Sequence, residues 1–242
     1  MTMTITELER SLRALRLSGM TATLESRALQ VAQQQMDFIE AFSAIVQDEL
    51  DRRRSRVIER RFALSGLTER KDLKDFDWQY NPKNPRREIL ELANLKFVDE
   101  REDALFIGSP GVGKSHIAKA LALLAVQRGY TVFYREAHVL VENINQAREL
   151  GELRKYRATL KAADLVVIDD LFLRKLPPHA GDELADVIMS RYEKSSTLIT
   201  SNREVDDWSK LLGDAVIITP LLDRLMHHGH LLVMKGTQTV FG

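Results

Sequence analysis

Apolar residues recur at helical spacing from the start of the chain. Ile5, Leu8, Leu12 and Leu15 are separated by polar positions, which places one stripe along a helix. Phe38, Phe42, Ile45 and Val46, running on through Leu50, predict a further helix, and Gly66 is placed to end a helical stretch that covers residues 4 to about 66. The pattern then breaks. Phe76-Asp77-Trp78 is followed by Asn81-Pro82-Lys83-Asn84-Pro85, whose turn residues predict a linker. From Arg86 onward the pattern alternates between helix and strand. Aliphatic and β-branched runs near 104–107, 131–134, 165–168, 197–200 and 230–234 predict five strands with helices between them. Such alternation implies an α/β fold with a mostly parallel sheet covered on both faces. The expected organisation is a helical N-terminal domain at 1–66, a linker at 67–85 and an α/β domain at 86–242.

Composition narrows this little, but usefully. The 242 residues, 44% of them apolar, suffice for one large α/β domain with a smaller appendage. Thirty-five basic and 35 acidic residues cancel, so the distribution of charge carries more than its sum. The absence of cysteine excludes disulfides, thiolate metal sites and cysteine nucleophiles. No apolar run approaches the ~18 residues of a membrane span. Glu7, Glu9 and Arg10 lie where a secretory signal would be apolar. A soluble cytoplasmic protein without a membrane partner is the expectation.

The most specific chemistry lies at Gly108-Ser109-Pro110-Gly111-Val112-Gly113-Lys114-Ser115, which matches G-x-x-x-x-G-K-[ST] at every fixed position. A predicted strand precedes it, and an apolar helix from His116 to Gln127 follows. Backbone N–H groups of such a loop wrap a phosphate at a helix N-terminus, where the helix dipole favours negative charge. Lys114 is then expected at the β- and γ-phosphates and Ser115 on Mg²⁺, so a nucleoside triphosphate with Mg²⁺ is the expected ligand pair. Leu165-Val166-Val167-Ile168 reads as a doubly buried strand ending in Asp169-Asp170. Carboxylates at the C-terminal edge of a central strand sit where open α/β sheets bind ligands. Asp169 is expected in the Mg²⁺ shell, and Asp170 is expected to orient or deprotonate the attacking water.

Basic residues cluster twice. Arg52, Arg53, Arg54, Arg56, Arg60 and Arg61 form one group; Arg154, Lys155, Arg157 and Lys161 form another, with Arg174 and Lys175 beyond the Asp pair. Either these are solvated helix faces, or they contact DNA phosphates, for which arginine is suited. Only Tyr156 and Phe172 interleave with the second group, so backbone tracking is favoured over base stacking.

These motifs together resemble the AAA+ ATPases, in the branch containing DnaA, the helicase loader DnaC and, most similar, the IstB-like transposition helpers. The resemblance runs from Leu12-Arg13-Ala14-Leu15-Arg16-Leu17-Ser18-Gly19-Met20 through Phe76-Asp77-Trp78, the phosphate loop with His116, and Val167-Ile168-Asp169-Asp170-Leu171. It continues at Arg191-Tyr192, Ile199-Thr200-Ser201-Asn202 and Leu222-Asp223-Arg224-Leu225. It implies an AAA+ P-loop core without a full helical lid. It also implies that Asn202 is a sensor holding the attacking water and that Arg224 is a finger acting on ATP of a neighbouring subunit. Each has a plainer reading, as a turn asparagine and as a helix-end arginine beside Asp223. Arg191 supports an interface or pairs with Glu193 or Asp186. The C-terminal stretch from Lys235 lacks the Ser-Tyr-Arg element common in the family, leaving Lys235 as its substitute. The function implied is an ATPase helper of transposition that oligomerises on duplex DNA with ATP and presents it to a transposase. A DnaC-like loader, a monomeric P-loop kinase and a nucleotide-gated module that never hydrolyses are the alternatives.

Overall fold

A reciprocal cap starts the first helix: Glu7 N–H donates to Thr4 Oγ1 (3.3 Å) while Thr4 N–H donates to the Glu7 carboxylate (2.8 Å). The computed structural model describes residues 3–174, 176, 180–208, 215–227 and 229–236. The chain divides into two compact units, Met1–Arg60 and Arg61–Gly242. The first unit holds α1 (Ile5–Ala14), α2 (Ser18–Gln34) and most of α3 (Phe38–Ser65). Helical spacing located α1 and α3, yet no α1 residue is buried, and Phe38 and Phe42 are 76% and 53% exposed. The tight contact is instead between α2 and α3. A Cβ on Gly19 would lie 2.5 Å from Glu49 Cα, so only glycine permits that crossing. Glu49 accepts from the N–H groups of Gly19 (2.6 Å) and Met20 (3.4 Å), giving two orphan donors at the start of α2 a buried partner. Arg53 pairs with the other Glu49 oxygen at 2.6 Å and, with these amides, holds its carboxyl below the ordinary range.

The second unit contains α4 (Arg86–Leu92), α5 (Lys96–Asp99), β1 (Asp103–Gly108), α6 (Lys114–Arg128), β2 (Val132–Glu136), α7 (Ala137–Glu149) and α8 (Leu153–Ala162). They are followed by β3 (Leu165–Leu171), α9 (Ala180–Arg191), β4 (Ser196–Ser201), α10 (Ala215–His227) and β5 (Gly229–Met234). The five strands form one sheet in the order β2-β3-β4-β1-β5, each neighbouring pair parallel. Parallel strands covered by helices on both faces read as continuous apolar runs, and Leu165 to Ile168 are all fully buried. Because β4 lies between β1 and β3, the C-terminal ends of all three open on one place. That is where a doubly wound sheet binds ligands.

The opposite end of the sheet is fastened by a buried charge network. Arg191 is 1% exposed and donates to the carbonyls of Leu160, Ala163 (3.0 Å) and Ser196 (2.7 Å), tying the end of α8 to α9 and β4. It is a clip inside the fold, and neither an interface residue nor a partner of Glu193 or Asp186 as the sequence reading allowed. Burial pulls its pKa down to about 10, so it stays charged at neutral pH. Asp103 accepts from Thr197 N–H at 2.7 Å, and burial pushes its carboxyl up to about 6. Between the ordinary carboxylate range and about 6 the folded state therefore binds more protons than the unfolded one. The sign follows: this group costs stability as pH rises through that window, by about 3 kcal/mol in order of magnitude. Asp103→Asn keeps an acceptor for Thr197 and does not titrate. Its stability relative to the unsubstituted protein should therefore rise between pH 4 and pH 7 in denaturant unfolding. A constant difference across that range would remove Asp103 from the pH response.

Candidate active site

The phosphate loop joins the buried strand β1 to α6. Gly113 is its pivot, with φ +98°, a left-handed value that L side chains resist, and a Cβ there would lie 2.5 Å from the Phe76 ring. A Cβ at Gly111, by contrast, would meet nothing within 4 Å, so the loop's inner side is open. The Lys114 ammonium is folded into the loop and donates to Gly108 O (2.8 Å) and Ser109 O (2.9 Å). Burial lowers its pKa, while Asp170 and Asp169 oppose that effect. Beside the loop lies a pocket of about 270 Å³ lined by Pro110, Gly111, Gly113, Lys114, Ser115, His116, Asp170, Leu173 and Asn202.

The two carboxylates stand in unlike places. Ser115 Oγ donates to Asp170 Oδ1 at 3.2 Å, and Asp170 lines the pocket. Asp169 is 1% exposed and is held by the hydroxyls of Tyr134 (2.5 Å) and Thr200. The acid beside the Ser115 hydroxyl is thus Asp170, whereas the sequence reading placed Asp169 there. The cause is a break in the sheet. The β3–β4 register slips between Ile168 and Leu171, and Asp170 takes φ +54°. That bulge turns its side chain from the ladder into the pocket. Burial, then the neighbouring Asp169 charge, raises the Asp170 pKa.

Asn202 lies at the end of β4, lining the pocket, and its Oδ1 is buried without a hydrogen-bond partner among the described residues. Buried polar atoms are rarely left so, and this one is closed off from solvent, so the pocket exposes other atoms of Asn202. With the Lys114 ammonium and the oxygens of Ser115 and Asp170 on its lining, a set suited to phosphate and a hard cation, the pocket fits a Mg²⁺–nucleotide.

Phe76, expected only as part of a linker, packs against the phosphate loop. Its ring packs edge-on against His116 (5.2 Å between centroids) and against Trp78 (4.7 Å), and His116 Nε2 lies 3.3 Å from Asp72 O. Asn84 Nδ2 donates to the Val112 carbonyl (3.1 Å), and Asn81 Nδ2 donates to Asn84 Oδ1 (3.0 Å) and to Lys235 O (2.9 Å). Residues 67–85, expected as a linker, thus pack beneath the phosphate loop. The only signal for this in the sequence is the repeated Asn-Pro of Asn81-Pro82 and Asn84-Pro85, which turn chemistry explains equally well.

Arg224 is on α10, with its guanidinium 5.3 Å from the Tyr192 ring centroid and Nη1 3.0 Å from Met189 Sδ, and is not among the pocket-lining residues. The basic positions separate into engaged and outward-facing groups. Arg53 is fixed by Glu49, and Arg157 pairs with Glu183 (3.1 Å) and Asp186 (2.9 Å). Arg148 also reaches Glu183. Arg61 is half-buried near Gly129, and Arg174 contacts His138 Nε2 at 3.3 Å. Arg52, Arg54, Arg56, Arg60, Arg154, Lys155 and Lys161 are exposed. Lys175 lies outside the described residues. The Lys235 side chain is exposed and does not line the pocket.

Sheet order, phosphate loop and paired carboxylates define a P-loop nucleotide-binding protein of the AAA+ class. Residues 10–239 match the family described as IstB-like ATP binding protein, and the chain belongs to that family. It is 34% identical over 201 residues to the ATP-binding protein of insertion sequence IS5376 from Geobacillus stearothermophilus, covering 83% of this chain and 80% of that one. With the IS21 ATP-binding protein of Pseudomonas aeruginosa it shares 32% identity over 230 residues, 95% of this chain and 87% of the other. Among solved structures it is similar to a DnaC helicase loader, with a TM-score of 0.52 and 24% identity over 65% of this chain and 98% of that one. AMPPCP-bound DnaA from Aquifex aeolicus gives a TM-score of 0.58 and 22% identity over 70% and 51%. At those identities the two structures bear on the fold alone. Among the described residues no helix is long and apolar enough to cross a membrane.

Proposed function

We propose that this protein is an ATPase that assembles on duplex DNA in its ATP-bound form and presents that DNA to the transposase of an insertion sequence. The observation that carries the catalytic part is the convergence of Lys114, Ser115, Asp170 and Asn202 on one pocket. Lys114 exchanges the loop carbonyls for phosphate oxygens, while the loop's N–H groups and the start of α6 hold the same anion. Ser115 and Asp170 would supply oxygens for Mg²⁺, which when bound would neutralise charge on the phosphates. Asp170 faces the attacking water and takes its proton, and Asn202 orients that water. Arg224, which does not line its own chain's pocket, serves the site of a neighbouring copy.

The relatives named as insertion-sequence ATP-binding proteins match nearly the whole chain, which favours transposition over helicase loading. The exposed part of the arginine cluster on α3, with Arg154, Lys155 and Lys161, forms the DNA-contacting set. Arg53 and Arg157 are left out because carboxylates already hold them. Light scattering with ATP, ADP or no nucleotide, each with and without duplex DNA, tests the assembly. Growth in mass only with ATP and DNA together is the expected result. A monomer under every condition would return the protein to the kinase reading.

A further inference from the structure

Two hydroxyl groups from separate strands occupy the oxygens of Asp169. Tyr134 on β2 pairs in register with Val167, and Asp169 pairs with Glu136, so Tyr134 is the diagonal neighbour of Asp169 on the same face of the sheet. An aromatic side chain spans that diagonal, and the Tyr134 hydroxyl donates to Asp169 Oδ2 at 2.5 Å. From the other side Thr200 on β4 donates to Asp169 Oδ1 and accepts from Asp170 N–H at 2.9 Å. That amide lies in the stretch where the β3–β4 register slips, between Ile168 and Leu171. One threonine hydroxyl therefore ties the buried carboxylate to the backbone of the exposed one, using both its donor and its acceptor capacity.

We propose that Tyr134 and Thr200 are positioning residues of the nucleotide site, which hold Asp169 by both oxygens and so fix Asp170 alone toward Ser115 and the pocket. The inference rests on the ATPase reading above and deepens it. Asp169 acts through Thr200 as an anchor for the bulge, and Asp170 is the acid that meets metal and water. Burial and the adjacent carboxylate push the Tyr134 phenol far above its ordinary range, so it remains a donor. The donors also compensate a buried charge. A purely structural role would stop there and would not distinguish metal-bound from metal-free nucleotide.

Tyr134→Phe removes one oxygen, Thr200→Val removes the bridging hydroxyl at nearly constant volume, and Thr200→Ser restores it. Binding of a fluorescent ATP analogue is measured with EDTA and across a Mg²⁺ titration, alongside kcat and KM. In EDTA, Tyr134→Phe and Thr200→Val should bind within about twofold of the unsubstituted protein. Their half-saturating Mg²⁺ should rise, and kcat should fall with KM nearly constant, each by about tenfold, the scale of a lost hydrogen bond to a charged group. Thr200→Ser should recover most of both. Equal losses with and without Mg²⁺, an unchanged Mg²⁺ midpoint, or Thr200→Ser behaving as Thr200→Val would overturn the proposal. If the unsubstituted protein binds ATP but does not turn it over, the ATPase reading fails and the Mg²⁺ midpoint alone decides this one. If Lys114→Ala binds ATP normally, the site itself has been misread.

Discussion

Asp170→Asn should bind ATP normally in EDTA, need more Mg²⁺ for half-saturation, and lose turnover by about 10²–10⁴, the range for removal of a positioned general base. The substitution is selective because of where Asp170 sits. Its backbone is left-handed, φ +54°, and asparagine adopts that conformation more readily than most residues, so the bulge survives. Asn Oδ1 still accepts from Ser115, and neither Lys114 nor the loop amides touch the changed atom. What disappears is a negative charge facing the pocket and an oxygen able to take a proton. Lys114→Ala is the contrasting control: it removes the ammonium from the loop and should abolish binding. Fluorescent-nucleotide titration and phosphate release on the same preparations separate the two effects. Hydrolysis by Asp170→Asn at the unsubstituted rate would show that Asp170 is not the base.

Local chemistry made parts of this molecule legible from sequence. The aliphatic runs of β1 to β4 were legible because a doubly buried parallel strand has little freedom of composition, and β5 was legible as an aliphatic run although Leu231 and Val233 are exposed. The phosphate loop was legible because two glycines, a lysine and a serine at fixed spacing between strand and helix have few other uses. What escaped depends on which strands become neighbours. Tyr134 and Asp169 are 35 residues apart in the chain and meet only because β2 lies beside β3. The two aspartates look equivalent in sequence, and a one-residue bulge separates their environments. Arg191 reads as a surface cation until the ends of α8, α9 and β4 close over it. Arg53 was counted with its neighbours as a DNA contact, but four residues earlier Glu49 needs a cation while it caps α2. Helical periodicity located α1 and α3 without indicating burial. A stripe shows which face is apolar and not what covers it.

Arg224→Ala should bind ATP almost as the unsubstituted protein does, yet hydrolyse it about 10³–10⁵-fold more slowly, the range measured when an arginine finger is withheld. Arg224 lies against Met189 and Tyr192 and outside the pocket formed by its own phosphate loop, so local binding should not sense its loss. Removing the side chain also forfeits the contact with the Tyr192 ring, worth about 0.5–2 kcal/mol at such sites. A melting curve therefore accompanies the kinetics, and Arg224→Lys supplies a charge without the planar fork. The decisive arm is mixing. Lys114→Ala lacks a working loop and Arg224→Ala lacks a finger, so each alone is inactive for a different reason. An assembly containing both has interfaces at which an intact loop meets an intact finger. If both variants enter the assembly at random from an equimolar mixture, about one interface in four has that composition, so the recovered activity is at most about a quarter of the unsubstituted level. Recovery that scales with the mixing ratio places the finger in trans. If no ratio restores hydrolysis while both variants still assemble, Arg224 acts within its own chain or not at all, and the shared site is wrong.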